Sequence, residues 1–414
     1  MMTKNQINER EQLEILTIEQ LVPANHLVRK LDAAIDFSFI YPLVENLYSQ
    51  FGRPSIDPVV LFKMTMIQYV FGIRSIRQTI KEIETNVAYR WFLGFGFHTE
   101  VPHFSTFGKN YVRRFENTDV FEQIFYRILK EIVDEGLLSA DHIFIDSTHV
   151  KASANKRKFD KKMVRKETRA YEAKLQEELN INREKNGKKP FSKEKFEREE
   201  FKEIKESTTD PESGYYVKDE RTKQFAYSFH AATDERGFVL GAIVTPGNIH
   251  DSHILQPLVE KVIEKVKKPL AVAADAAYKT PAITNFLLEN QMLPVLPYTR
   301  PKTKDGFFRK HDYVYDEHND CYICPNDQTL SYVTTTKEGY RQFKSNPTIC
   351  ANCPFLQQCT ESKNHTKLIQ RHIWEAYVEE AEHLRHHEEI KLIYAKRKET
   401  IERVFADAKE KHGM

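Results

Sequence analysis

The sequence predicts a multidomain chain of mixed α+β and α/β class, in which a helical domain over residues 1–136 precedes a mixed-sheet domain over residues 137–414. Three observations carry that prediction. Apolar residues up to Val133 recur at helical spacing, and from about residue 141 onward they fall into short strand-length runs. Two stretches, a charged one over 156–208 and a cysteine-bearing one over 302–370, break the strand pattern. With 414 residues, 40% of them hydrophobic and 12% aromatic, the chain can build two or three packed domains.

In the first domain, Asp57-Pro58 supplies a cap and a proline at the first helical position. The apolar run through Val59, Leu61, Phe62, Met64, Ile67, Val70 and Phe71 then stops at Gly72. Ser75 opens a second helix that keeps Ile76, Ile80 and Ile83 on one side and Arg77 and Lys81 on another. Two helices joined through Gly72 to Arg74 resemble a helix-turn-helix. Ser105 is the expected cap of a further helix bearing Lys109, Arg113 and Arg114. Phe121, Ile124, Phe125, Ile128, Leu129, Ile132 and Val133 form a core stripe. Arg77, Lys81, Arg113 and Arg114 are the candidate nucleic-acid contacts, against the simpler reading of a helical bundle with a solvated basic face.

In the second domain, Asp141 to Ala152 reads as a first strand. Gln224 to Thr233 and Gly237 to Thr245 read as a hairpin, and Ser252 to Val266 as an amphipathic helix. Leu270 to Ala274 is a strand, Pro281 to Asn290 a helix, Leu293 to Leu296 a strand, and Arg371 to Lys411 a long, mostly helical tail. The order βββαβαβα is that of an RNase H-like domain. Lys156 to Glu206 carries 18 Lys+Arg against 12 Asp+Glu and reads as an exposed helical arm, either a solvated surface or a clamp on a phosphate backbone.

Charge narrows the partners little, because 62 Lys+Arg meet 60 Asp+Glu, so a polyanion would be held by local basic faces. No apolar run approaches the roughly 20 residues of a membrane helix, and the start of the chain lacks a signal-peptide core, which predicts a cytoplasmic protein. Five cysteines, all between Cys321 and Cys359, read as a metal cluster rather than a disulfide framework in a reducing compartment.

Asp146 closes the apolar run Ile143-Phe144-Ile145, Asp275 closes Leu270 to Ala274, and Glu402 lies on a helical segment near the end of the tail. Strand ends and a helix across the sheet could bring all three together, and three carboxylates can hold two hard cations such as Mg²⁺ or Mn²⁺. With such ions about 3.5 to 4 Å apart, one activates an attacking oxygen and the other stabilises the leaving one. Each acid alone has a plainer reading, a cap or turn residue for either Asp and a solvated helix residue for Glu402.

Four segments carry a resemblance: Phe144-Ile145-Asp146-Ser147-Thr148-His149-Val150-Lys151-Ala152, Thr245-Pro246-Gly247-Asn248-Ile249-His250-Asp251-Ser252, Ala273-Ala274-Asp275-Ala276-Ala277-Tyr278, and Ile401-Glu402-Arg403-Val404-Phe405-Ala406-Asp407-Ala408-Lys409. In this order, with Arg53-Pro54-Ser55 and His103-Phe104-Ser105-Thr106-Phe107 upstream, they resemble the DDE transposases of bacterial insertion sequences. The resemblance implies an RNase H-like core with Asp146, Asp275 and Glu402 as the catalytic, metal-holding acids. Asp251, in a setting that suits an N-cap, is the competitor for the second role. The resemblance also implies a Tyr, Arg, Glu, Lys signature on the last helix. Lys409 fits its last position, a DNA-phosphate contact, while Lys398 stands where the arginine is expected, with Arg397 and Tyr394 one place off register.

The implied function is binding of the element's terminal inverted repeats with divalent-metal-dependent DNA cleavage and strand transfer, by a homodimer or larger complex on double-stranded DNA. The alternative is a shortened, catalytically impaired remnant that only binds DNA, because relatives usually continue beyond the position of Met414. In the cysteine-bearing insertion, Cys321, Cys324, Cys350 and Cys353 form two CxxC pairs at zinc-ribbon-like spacing, with Cys359 as a spare, and predict one structural Zn²⁺. The segment 302–370 is expected to depend on that ion, since it shows no apolar core of its own.

Overall fold

The computed structural model describes residues 12–49, 51–52, 55–165, 171–192, 201–299 and 303–414. Its contacts divide the chain into two compact units, residues 1–135 with 406–414, and residues 136–405. Arg53 and Pro54 lie outside the described residues.

The first unit is helical. The Pro58–Val70 helix starts where the Asp57 carboxylate accepts from Val59 N at 2.8 Å and stops at Gly72, whose φ of +63° lets Ile73 N reach Gln68 O at 2.8 Å. Ser75 then caps Ile76–Thr85 through Gln78 N. Leu61, Phe62, Met64 and Ile67 from the first helix join Ile80 and Ile83 from the second in one buried cluster.

Two expectations change here. The Phe104–Asn110 helix is capped by His103, whose ring Nδ1 accepts from Ser105 N, because the helix starts at Phe104 and so holds Ser105 within its first turn. It runs on as a π-helical turn, Tyr111–Phe115. On the Val120–Asp134 helix Val120 and Leu129 are fully buried and Ile124 and Ile128 pack partly buried against the core, whereas Phe121 and Phe125 keep slightly more than a third of their surface exposed.

The second unit is built on a six-stranded sheet of β1 (His142–Lys151), β4 (Gly214–Val217), β5 (Lys223–Thr233), β6 (Val239–Pro246), β7 (Ala271–Ala273) and β8 (Leu293–Val295), with β2 and β3 in the insertion described below. β1 pairs antiparallel with β5 on one edge and parallel with β7 on the other, and β7 pairs parallel with β8. β4 and then β6 share the far edge of β5, both antiparallel. Side chains alternate faces along each strand. Phe144, Ala231, Ala271 and Ala273 therefore present one face, which Ile390, Ile393, Ile401 and Phe405 of the C-terminal helices cover. The Leu255–Lys265 helix packs on β5 and β6.

The expected helical arm is instead a two-stranded ladder, β2 (Phe159–Arg165) against β3 (Phe201–Ser207), with a helix, Glu172–Lys185, between them in sequence. That helix is docked rather than free. Leu175 is buried with Ala282 and Trp374, and Trp374 Nε1 donates to Glu178 Oε2 at 2.6 Å.

The cysteine-bearing insertion also departs from expectation. Its strands β9 (Val314–Asp316), β10 (Cys321–Ile323), β11 (Thr329–Thr335), β12 (Tyr340–Ser345) and β13 (Leu368–His372) form an antiparallel sheet in the order β13-β12-β11-β10-β9. It has its own core, Tyr313, Tyr322, Leu330, Phe343 and Ile369, a largely aromatic one. The tail is mostly helical as expected, although Arg371 itself belongs to β13: three helices follow, Glu375–Leu384, Glu388–Ala395 and Ile401–Lys411. A 3₁₀ turn, Lys396–Lys398, separates the last two.

Candidate active site

Asp146 sits two residues beyond Phe144 on β1, so it shares the face covered by the C-terminal helices. Phe144 pairs with Ala273 in the parallel β1/β7 register, and extending that register by two residues sets Asp275 level with Asp146 on the neighbouring strand path. Asp275 also closes the turn that follows, its Oδ1 accepting from Ala277 N at 2.9 Å. Glu402 occupies the first turn of the Ile401–Lys411 helix, anchored to the same face by Ile401 and Phe405.

A cation links two of these acids. The Arg397 guanidinium forms an ion pair with Asp146 Oδ2 at 2.5 Å and donates a hydrogen bond to Glu402 Oε1 at 3.2 Å. Its side chain is only 12% exposed, while that of Glu402 is 47% exposed, so the pair is anchored from the inside.

Burial pushes the Asp146 carboxyl up to about 6. Arg397 and the Ser147 backbone N–H oppose the rise, and the nearby charges of Asp275 and Glu402 add to it. All three carboxylates therefore lie within electrostatic reach of one another. The Tyr278 phenol, fully buried nearby, is held well above its usual range by burial first and then by Asp251, Asp146 and Asp275.

The sequence register had placed Lys398 in the arginine position. Lys398 is exposed, and Arg397 faces the acids instead. The spacing of four residues that the resemblance implies belongs to one continuous helix, and the 3₁₀ turn Lys396–Lys398 shifts the face by a residue. The Tyr394 phenol lies beside Arg397 and is raised above its usual range by burial.

Asp251 opens a 3₁₀ turn, Asp251–His253, whose cap is His250 rather than Asp251 itself. Its Oδ1 lies 3.8 Å from His230 Nδ1. His230 pairs in register with Ser147, so Asp251 approaches the opposite face of the sheet from the one carrying Asp146.

Among the expected DNA contacts, Arg77, Lys81 and Arg113 are exposed, with the Arg77 guanidinium 4.2 Å from the centre of the Phe104 ring. Arg114 is half-buried, stacked 4.4 Å over Tyr48 and donating to Asn110. Lys409 is exposed, seven residues beyond Glu402 on its helix.

Cys324, Cys350, Cys353 and Cys359 line one cavity of about 30 Å³ together with Tyr313, whose hydroxyl lies 3.1 Å from Cys359 Sγ. Cys321 is absent from that lining. Cys324, just past the end of β10, packs on the core with Tyr322, whereas Cys321, the neighbour of Tyr322 on the strand, faces the other side. Among the described residues, no group of three or more His, Cys, Asp or Glu side chains is already arranged to hold a metal ion.

The class of the protein follows from comparison with family models. A Transposase domain (DUF772) matches residues 16–113, and a Transposase DDE domain matches residues 323–414, a span that includes Glu402. Together these matches support a DDE transposase of an insertion sequence. No curated protein and no solved structure matches the chain. Among the described residues, no helix is long and apolar enough to cross a membrane.

Proposed function

We propose that the chain binds the ends of its own element and cuts and rejoins DNA there, with Asp146, Asp275 and Glu402 holding the divalent cations that the reaction needs. One observation carries this reading: a cation, the Arg397 guanidinium, is already seated between two of the three carboxylates. An all-oxygen donor set of this charge suits Mg²⁺ or Mn²⁺. When bound, such ions supply Lewis-acid stabilisation of a phosphodiester undergoing displacement. The chain's own part is to fix the acids in the middle of β1, just beyond the end of β7 and on a helix packed across the sheet, so that their geometry is set by the sheet; Asp146 is thus not at a strand end, because β1 runs on to Lys151. Strand order supports the RNase H-like reading: β6, β5 and β1 antiparallel, then β7 and β8 parallel to β1.

DNA recognition falls to the helical first unit. Arg77, Lys81 and Arg113 offer exposed cations, whereas Arg114 is held by Tyr48 and Asn110. Lys409 adds a further exposed cation on the Glu402 helix. For the insertion, the four thiols lining one cavity are the ones that would hold a soft divalent ion such as Zn²⁺, with Cys359 in place of Cys321.

The test is strand cleavage of a duplex carrying the element's terminal repeats. Asp146→Asn, Asp275→Asn and Glu402→Gln should each abolish Mg²⁺-dependent nicking while leaving DNA binding within a few-fold of the parent. Binding without nicking by the unaltered chain would favour a DNA-binding protein that no longer cuts. Loss of nicking with Asp251→Asn but not with Asp275→Asn would move the second acid to the other face of the sheet.

A further inference from the structure

Arg397 is more than a neighbour of the acids. It reaches Asp146 and Glu402 with two different nitrogens, and it does so from a largely buried position next to Tyr394. A guanidinium presents a planar fork of fixed geometry, so spanning two carboxylates with its two ends also fixes their separation. The position is also inherent to the chain trace. Arg397 stands on the 3₁₀ turn between two helices whose Ile390, Ile393, Ile401 and Phe405 are fixed to the sheet.

We propose that Arg397 is an internal counter-ion of the carboxylate site, which a divalent cation must displace before the three acids can converge on it. This rests on the reading of Asp146, Asp275 and Glu402 as metal-holding residues and adds how entry to that site is controlled. Two carboxylates held by their own cation carry less uncompensated charge, and a metal ion binds only in the fraction of molecules where the guanidinium has swung out. The apparent affinity is lowered by that fraction, so a site open a tenth of the time binds about tenfold more weakly than an open one. The same device keeps two nearby carboxylates from repelling each other while no ion is bound.

The test is Mn²⁺ titration of the metal-free full chain by calorimetry, without DNA, so that the readout is binding rather than cleavage. The inference expects Arg397→Gln to bind Mn²⁺ about tenfold more tightly than the parent. Arg397→Lys, which keeps the charge but cannot span both acids with a planar fork, should fall between them. Thermal melting of each variant checks that it is folded, and should the glutamine variant fail to fold, the lysine variant carries the comparison.

Unchanged or weaker binding in the variants would overturn the inference while leaving the metal reading intact. A lysine variant matching the parent, with only the glutamine variant tighter, would also overturn it, because general charge rather than occupation of the site would then set the affinity. Absence of Mn²⁺ binding in the parent and both folded variants would overturn this inference and the metal reading together, and that pattern is distinct from the others.

Discussion

Replacing Asp146 by Asn should make the metal-free protein more stable, and the gain should depend on pH. The Asp146 carboxyl, ordinarily near 3.8, is raised to about 6, with burial as the largest cause. Each tenfold change in acidity is worth 1.36 kcal/mol, so keeping this carboxylate ionised in the folded chain costs about 3 kcal/mol. The sign follows from the direction. A folded value above the unfolded one means that the folded chain holds a proton which the unfolded chain releases. The stabilising contribution of the protonated acid is thus complete below pH 3.8 and is lost as pH rises through about 6.

Asn resembles the protonated acid in shape and never ionises. Its advantage should be near zero at pH 4 and grow to about 1–3 kcal/mol at pH 8, after allowance for the weakened contact to Arg397. Denaturant unfolding in chelator at both pH values measures it. A variant less stable than the parent at pH 8, or a gain of equal size at pH 4 and pH 8, would refute the reasoning.

Other expectations follow from contacts elsewhere. A Cβ on Gly247 would stand 2.7 Å from Ala226 O and 3.0 Å from its carbonyl carbon, both backbone atoms, so Gly247→Ala should cost on the order of 1–3 kcal/mol in unfolding free energy. Protein purified without chelator should carry about one zinc per chain, retained in Cys321→Ser and lost in Cys324→Ser with Cys359→Ser, as measured by elemental analysis. The opposite pattern would restore Cys321 to the ligand set. Arg113→Ala should weaken binding to the element ends and reduce the slope of log affinity against log salt by about 1, read by fluorescence anisotropy across a salt series.

The elements that the sequence made readable are those whose burial leaves a periodic trace. The runs before Asp146 and Asp275 stand out because β1 and β7 are buried on both faces, as Ile143, Phe144, Ile145, Ala271, Val272 and Ala273 all are. The ladder of β2 and β3 leaves no such trace. Its cross-strand contacts include the pairs Lys161 with Glu203 and Lys162 with Glu206, each at 2.9 Å, which in sequence look like any solvated charged run. The core of the cysteine-bearing insertion was obscured for another reason, since it rests on scattered tyrosines and phenylalanines rather than an aliphatic stripe.

At the site, the three candidate acids were legible only as a set, since each alone has a plainer reading, and Arg397 could not be placed. Whether residue 397 or 398 faces the acids depends on a turn only three residues long, Lys396–Lys398, and helical counting does not register it. Cys321 illustrates the converse. CxxC spacing marks a pair in a knuckle, but Cys321 lies on β10 facing away from Tyr322, whereas Cys324 packs with Tyr322 beside the cavity.

The most direct test of the shared-cation site is a crystal structure of the full chain grown with Mn²⁺ and measured at a wavelength where manganese scatters anomalously. The account predicts an anomalous peak within coordination distance of carboxylate oxygens from Asp146, Asp275 and Glu402, with the Arg397 side chain moved off Asp146. Manganese bound elsewhere, or no peak at those acids while Arg397 still bridges Asp146 and Glu402 at saturating Mn²⁺, would contradict it.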